Sequence, residues 1–113
     1  MIDLDDERSI AAGDPGGMLR AIGGLGEHLR VGHAIGLGAE GLPSADGVTS
    51  IACCGMGGSA VAGEFVRALF RQRLGVPVDV HRGALLPEYC GSHTLVVVSS
   101  YSGRTEETIS CLR

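Results

Sequence analysis

Apolar positions change their spacing part-way along this chain. Between Met18 and Leu29 they recur at helical intervals. Met18, Ile22, Leu25 and Leu29 share one face, and Arg20, Glu27 and Arg30 lie elsewhere on the wheel. Asp14-Pro15 supplies a start signal, because Asp caps and Pro suits the first helical position. Gly23, Gly24 and Gly26 weaken this helix, so it depends on packing to persist. A stop is expected near Gly32, and residues 33–40 read as a second short helix. Residues 1–13 read as an acidic, mobile lead, and Gly41–Gly47, with Pro43, Ser44 and Asp46, reads as a loop.

From Val48 the pattern becomes that of short buried strands around one long helix. Ile51-Ala52-Cys53-Cys54 is an apolar run closed by Gly55. Ser59 to Leu74 carries an apolar stripe, Val61, Phe65 and Leu69, with Ala62, Val66 and Phe70 beside it. Arg71 and Arg73 suit the helix's last turn and Gly75 its end. Residues 77–81 read as a second strand. Thr94 to Ser99 is a third, and its continuous apolar run predicts burial on both faces. A further helix is expected from Gly103, with Glu106 and Glu107 in its first turn.

The order α-(α)-β-α-β-β-α predicts an α/β domain. Its architecture is a three-layer, doubly wound parallel sheet of the flavodoxin-like kind, incomplete at three strands and preceded by a helical lead. Residues 1–47 form the lead, which is expected to pack on the sheet, and residues 48–113 form the first half of the sheet domain. Three strands and a short last helix suggest the N-terminal part of a longer design, truncated or completed by a partner.

Composition narrows the function classes. The net charge is −4, there is no Trp, and all nine basic residues are Arg. Nucleic-acid binding needs phosphate-neutralising cations and usually stacking aromatics, and this chain shows no basic stripe. The N-terminus is acidic and unlike a signal peptide, and the run Leu95–Val98 is too short to span a bilayer. A soluble, cytoplasmic protein without a membrane partner is expected. Cys53, Cys54, Cys90 and Cys111 show no zinc spacing and read as reduced thiols, with Cys53 and Cys54 on opposite faces of a strand. The histidines are scattered, so no metal is expected.

Two turns carry the chemistry. Gly55-Met56-Gly57-Gly58-Ser59 and Ser99-Ser100-Tyr101-Ser102-Gly103-Arg104-Thr105 each follow a strand and open a helix. Free amides and the helix dipole make such a place an anion site. The hydroxyls suit a phosphorylated polyol. Gly57, Gly58 and Ser59 on the first turn, and Ser100, Ser102 and Thr105 on the second, are the candidate phosphate ligands. Gly55-x-Gly57-x-x-Ala60 also fits a permissive dinucleotide fingerprint, but Asp79 lies inside the second strand, whose end carries His81-Arg82. A Walker loop is excluded, since the chain has no Lys. Ser102 serving only as a helix cap is the bland alternative.

The segments Gly55–Gly63 and Tyr101-Ser102-Gly103-x-Thr105-Glu106-Glu107-Thr108 resemble the sugar isomerase (SIS) domain family, and within it the bifunctional phosphoglucose/phosphomannose isomerases. Asp14-Pro15-Gly16-Gly17-Met18-Leu19 is similar to the opening of bacterial members. The resemblance implies aldose–ketose isomerisation of hexose 6-phosphates through an enediol, without a cofactor, in a homodimer whose sites draw on both subunits. It places the catalytic glutamate, histidine and lysine beyond the second motif, so no catalytic residue is assigned here, and the 113-residue chain alone is expected to be inactive. Glu106 and Glu107 are poor candidates for the base. Two departures stand out. Arg104 takes the usual place of Asn, either adding a cation near the phosphate or facing solvent, and Glu64 takes that of Asp on the helix surface. A non-catalytic sugar-phosphate sensor and a dinucleotide-binding fragment are the alternatives.

Overall fold

The computed structural model describes residues 2–112. Two compact units divide the chain, Met1–Pro43 and Ser44–Arg113.

The first unit holds three helices: α1 (Glu7–Gly13), α2 (Met18–Gly23) and α3 (Leu25–Leu37). Three expectations are corrected here. The acidic lead contains a helix, because Asp6 accepts from the Arg8 amide and caps it. Asp14 does cap the next helix, but from four residues upstream: its carboxylate accepts from the amides of Met18 at 2.7 Å and Leu19 at 2.8 Å. Pro15 therefore lies in the intervening turn, outside the first helical position. The periodic segment is also broken at Gly24 and runs on past Gly32 to a cap at Gly38. Gly32 has helical neighbours on both sides and nothing near its missing Cβ, so it ends nothing. No described residue in these helices is buried.

The second unit is α/β. It contains β1 (Ser50–Cys54), α4 (Gly58–Leu74), β2 (Val78–His81), β3 (Thr94–Val98) and α5 (Glu106–Ser110). The three strands are parallel in the order β2-β1-β3. Cys54 stands level with His81 on one side and with Val98 on the other. Strand β1 is central, and its residues 51–54 are all buried.

Side-chain alternation on β1 sorts the two helices onto opposite faces. Cys53 faces α4: a Cβ placed on Gly63 would lie 2.6 Å from the Cys53 Cβ and 3.3 Å from a Val80 methyl. Gly63 therefore allows the helix to approach the sheet closely. Cys54 points the other way, toward the buried Cys111 that follows α5, whose thiol lies within hydrogen-bond reach of the Gly83 and Glu107 carbonyls. Helices on both faces of a parallel sheet give the three-layer α/β arrangement that the sequence pattern implied.

The apolar stripe of α4 behaves differently from its periodicity. The helix sits on the sheet through Ala60 and Gly63, both buried. Val61, Phe65 and Leu69 are exposed, Phe65 at 59 %. The small residues allow the closest approach to β1 and β2, and the large ones turn outward. The expectation for β3 is corrected too: Val97 is 45 % exposed. Val97 is level with Cys53 and so lies on the α4 face, but α4 packs over β1 and β2 and leaves the β3 edge uncovered.

All four cysteines are free, with Cys53, Cys54 and Cys111 buried. Burial, and then the neighbouring Cys111, push the Cys54 thiol up to about 12.

Candidate functional site at the switch point of the sheet

The strand order fixes where a ligand can sit. From β1 the chain crosses through α4 to β2, and then returns to place β3 on the far side of β1. The connections leaving β1 and β3 thus diverge, which opens a crevice at the carboxyl ends of those two strands. The two glycine- and hydroxyl-rich turns are the segments that leave these strand ends.

The first turn is held from below. The Gly55 amide donates to the His81 carbonyl at 3.1 Å, which prolongs the β1–β2 ladder by one step. Gly57 then adopts φ 55 and ψ −127 at the N-cap of α4. A side chain there would be strained, so the residue type follows from the backbone. No side chain caps α4, and the amides of Gly57 and Gly58 have no acceptor among the described residues. A Cβ on Gly58 would meet nothing within 4 Å. The N-terminus of this 17-residue helix is open and carries about half a positive charge.

The second turn is folded by its own hydroxyls. Thr105 Oγ1 lies 3.3 Å from Ser100 Oγ and 3.3 Å from Ser102 Oγ. The Gly103 amide donates to Ser100 Oγ at 3.1 Å, and the Arg104 amide to Ser102 Oγ at 3.2 Å. Ser102 thus bonds within the turn, and the N-cap of α5 is Thr105, whose side chain makes no capping bond. Gly103 makes the turn with φ 63. Arg104 is exposed and forms no ion pair among the described residues.

The two turns meet. The Tyr101 amide donates to Ser59 Oγ at 3.3 Å, and the Ser99 amide donates to the Cys54 carbonyl at 2.8 Å. The structure therefore brings Ser59 against the second turn, with Ser100, Ser102 and Thr105 clustered on it and Gly57 and Gly58 on the facing loop. Ser59, Ser100 and Thr105 are partly buried, while Gly57, Gly58 and Ser102 are exposed. Each hydroxyl has one proton and can accept as well, so a tetrahedral oxyanion could replace these mutual contacts with charge-assisted ones of about 1.5–3 kcal/mol each. Among the described residues no group of three or more His, Cys, Asp or Glu could hold a metal.

Two supporting contacts escaped the sequence. The His81 carbonyl positions Gly55, and a backbone acceptor leaves no mark in a motif. Tyr89 donates its hydroxyl to Asp79 at 2.6 Å, which fastens the β2–β3 connection to β2. That bond, ahead of smaller contributions, holds Asp79 below the usual carboxylate range, and burial with Asp79 pushes the Tyr89 phenol up. Asp79 is engaged away from the carboxyl end of β2, so it is not placed as a ribose ligand. Glu64 also has a structural role: it joins Arg67 on α4 to Arg82 after β2, and the Arg82 contact is the main cause of its lowered pKa.

No protein-family model and no solved structure matches the chain. Curated relatives do. A bifunctional phosphoglucose/phosphomannose isomerase from Caldicellulosiruptor bescii is 37 % identical over 93 residues, which is 82 % of this chain and 27 % of that protein. Proteins of the same name from Thermoplasma acidophilum and Aquifex aeolicus are 37 % and 41 % identical over 62 and 61 residues, covering 55 % and 53 % of this chain and 19 % of each relative. The chain thus spans about a quarter of the length of the first of these relatives. By sequence, it belongs with the bifunctional phosphoglucose/phosphomannose isomerases.

Proposed function

We propose that this chain is the phosphate-binding part of an aldose–ketose isomerase acting on hexose 6-phosphates, interconverting glucose 6-phosphate or mannose 6-phosphate with fructose 6-phosphate. The observation that carries the reading is the junction of the two turns at the crevice between β1 and β3, with the Tyr101 amide bonded to Ser59 Oγ. Gly57, Gly58 and Ser59 would receive the phosphate from one side, and Ser100, Ser102 and Thr105 from the other. Anchoring the phosphate leaves C1 and C2 of the sugar at a fixed reach, where proton transfer requires a base within about 3 Å.

Glu106 and Glu107 are not assigned that role. They lie on the first turn of α5, and both are exposed to solvent. No other residue of this chain is assigned as the base. The proposed working unit is a homodimer, and the reaction as proposed needs no cofactor. The same pocket without chemistry would serve as a sugar-phosphate sensor, and the engagement of Asp79 by Tyr89 disfavours the dinucleotide reading.

Calorimetric titration of the 113-residue chain tests the proposal. Glucose 6-phosphate and fructose 6-phosphate are expected to bind, and unphosphorylated hexose is not. The triple substitution Ser59→Ala, Ser102→Ala, Thr105→Ala is expected to weaken binding at least tenfold, by about 1.4 kcal/mol or more. Unchanged affinity in that variant would remove the proposal. The chain alone is expected to give no turnover of fructose 6-phosphate in a coupled assay.

A further inference from the structure

Every group the two turns offer a phosphate is small and polar, yet their centre carries one large aromatic. Tyr101 lies between Ser100 and Ser102, and its side chain is fully exposed, at 103 %. No other large apolar or aromatic side chain among the described residues is as open; Leu85 and Leu4 follow at 80 % and 79 %. Its backbone, in contrast, is fixed. The Tyr101 amide is held by Ser59 Oγ at 3.3 Å, and the hydroxyls on either side of it are bonded to Thr105 Oγ1. A ring free of packing thus stands on an ordered stem, and that stem belongs to one of the two turns that flank the crevice. The other tyrosine differs, since the Tyr89 hydroxyl is committed to Asp79.

We infer that Tyr101 is the sugar-contacting arm of this site: with the phosphate seated between the two turns, its ring lies against the carbon–hydrogen face of the hexose. The inference rests on the phosphate reading given above and adds what selects the organic half of the ligand. A sugar presents an apolar face as well as hydroxyls, and hydroxyls and amides alone give that face nothing to cover it. Tyrosine suits the task because it supplies a large, rigid, amphipathic surface while ordering only two side-chain torsions. Its hydroxyl remains free to bond a sugar oxygen or water. Tyr101 thereby separates a hexose 6-phosphate from bare phosphate, which the cradle by itself does not.

The chain has no tryptophan and two tyrosines, and a carboxylate partner quenches phenol emission, so tyrosine fluorescence reports chiefly on Tyr101. The experiment titrates the full chain, Tyr101→Phe and Tyr101→Ala with inorganic phosphate and with fructose 6-phosphate, by calorimetry and by tyrosine emission. Tyr101→Ala is expected to weaken fructose 6-phosphate roughly three- to tenfold, the scale of one aromatic contact, and to leave inorganic phosphate unchanged. Tyr101→Phe is expected to keep most of the sugar-phosphate affinity. Emission of the unaltered chain is expected to respond to the sugar phosphate more than to phosphate. Equal losses for both ligands, or no loss for either, would overturn the inference while leaving the cradle standing. A Tyr101→Ala chain with normal titrations but altered sedimentation would give the ring to an interface between copies, and would also overturn it. If the unaltered chain bound neither ligand, the phosphate reading itself would fall, and this inference with it.

Discussion

Tyr89 and Asp79 make one bond that shifts the ionisation of both partners, Asp79 downward and Tyr89 upward. Asp79 has a depressed carboxyl, so its contribution to stability is full above the ordinary 3.8 and is lost as the pH falls through its lower folded value. Tyr89 has a raised phenol, so its contribution is full below the ordinary 10 and is lost as the pH rises through its higher folded value. The bond therefore stabilises across a plateau with an acid limb and an alkaline limb. Denaturant melts of the unaltered chain and Tyr89→Phe, taken across this range, are expected to differ on the plateau and to converge at both ends. A difference that does not vary with pH would show that the phenol acts through packing alone. Both groups are largely exposed to solvent, so the gap is small, on the order of 1 kcal/mol or less.

Helix α4 shows which parts of an element its residues announce and which they do not. The strand–turn–helix succession from Ile51 to Gly75 was legible because glycines mark local backbone demands: Gly57 precedes α4 with φ 55, and Gly75 does end it, with φ 67. The two turns of the candidate site were legible as turns for the same reason, since both are punctuated by glycine and hydroxyl residues, while their meeting through Ser59 and the Tyr101 amide is set by the strand order. The packed face of α4 was not legible. Periodicity pointed to Val61, Phe65 and Leu69, but contact with the sheet is decided by approach distance, and Ala60 and Gly63 come closest. Burial of β3 depended on whether anything covers the edge beyond β1, which an apolar run does not encode. Asp14 was read correctly as a cap but with the wrong reach, because a carboxylate can bridge a Pro-Gly-Gly turn. One substitution tests the approach argument. Gly63→Ala places a carbon 2.6 Å from Cys53 Cβ, so α4 must move. A loss of about 1–3 kcal/mol is expected in urea melts. A neutral or stabilising result, as helix propensity alone would give, would refute the close contact.

At the scale of the whole chain, two units share 113 residues, and the α/β unit rests on a small set of buried apolar side chains, Ile51, Ala52, Cys53, Cys54, Ala60 and Cys111 among the described residues. No described helix is long and apolar enough to cross a membrane. The order β2-β1-β3 has a kinetic corollary. Strand β1 reaches β2 through a single helix, whereas Ser50 meets Thr94 only across a sequence separation of 44. Loop closure costs entropy before pairing returns anything, so β3 is the strand expected to dock last and leave first. The crevice needs β3 in place, and it therefore exists only in the fully assembled sheet. An occupant bridging both turns would act as a clasp on the most easily shed strand. Saturating fructose 6-phosphate is accordingly expected to slow amide hydrogen exchange along Thr94–Val98 more than along Val78–His81, and equal slowing of both strands would argue against that sequence of events.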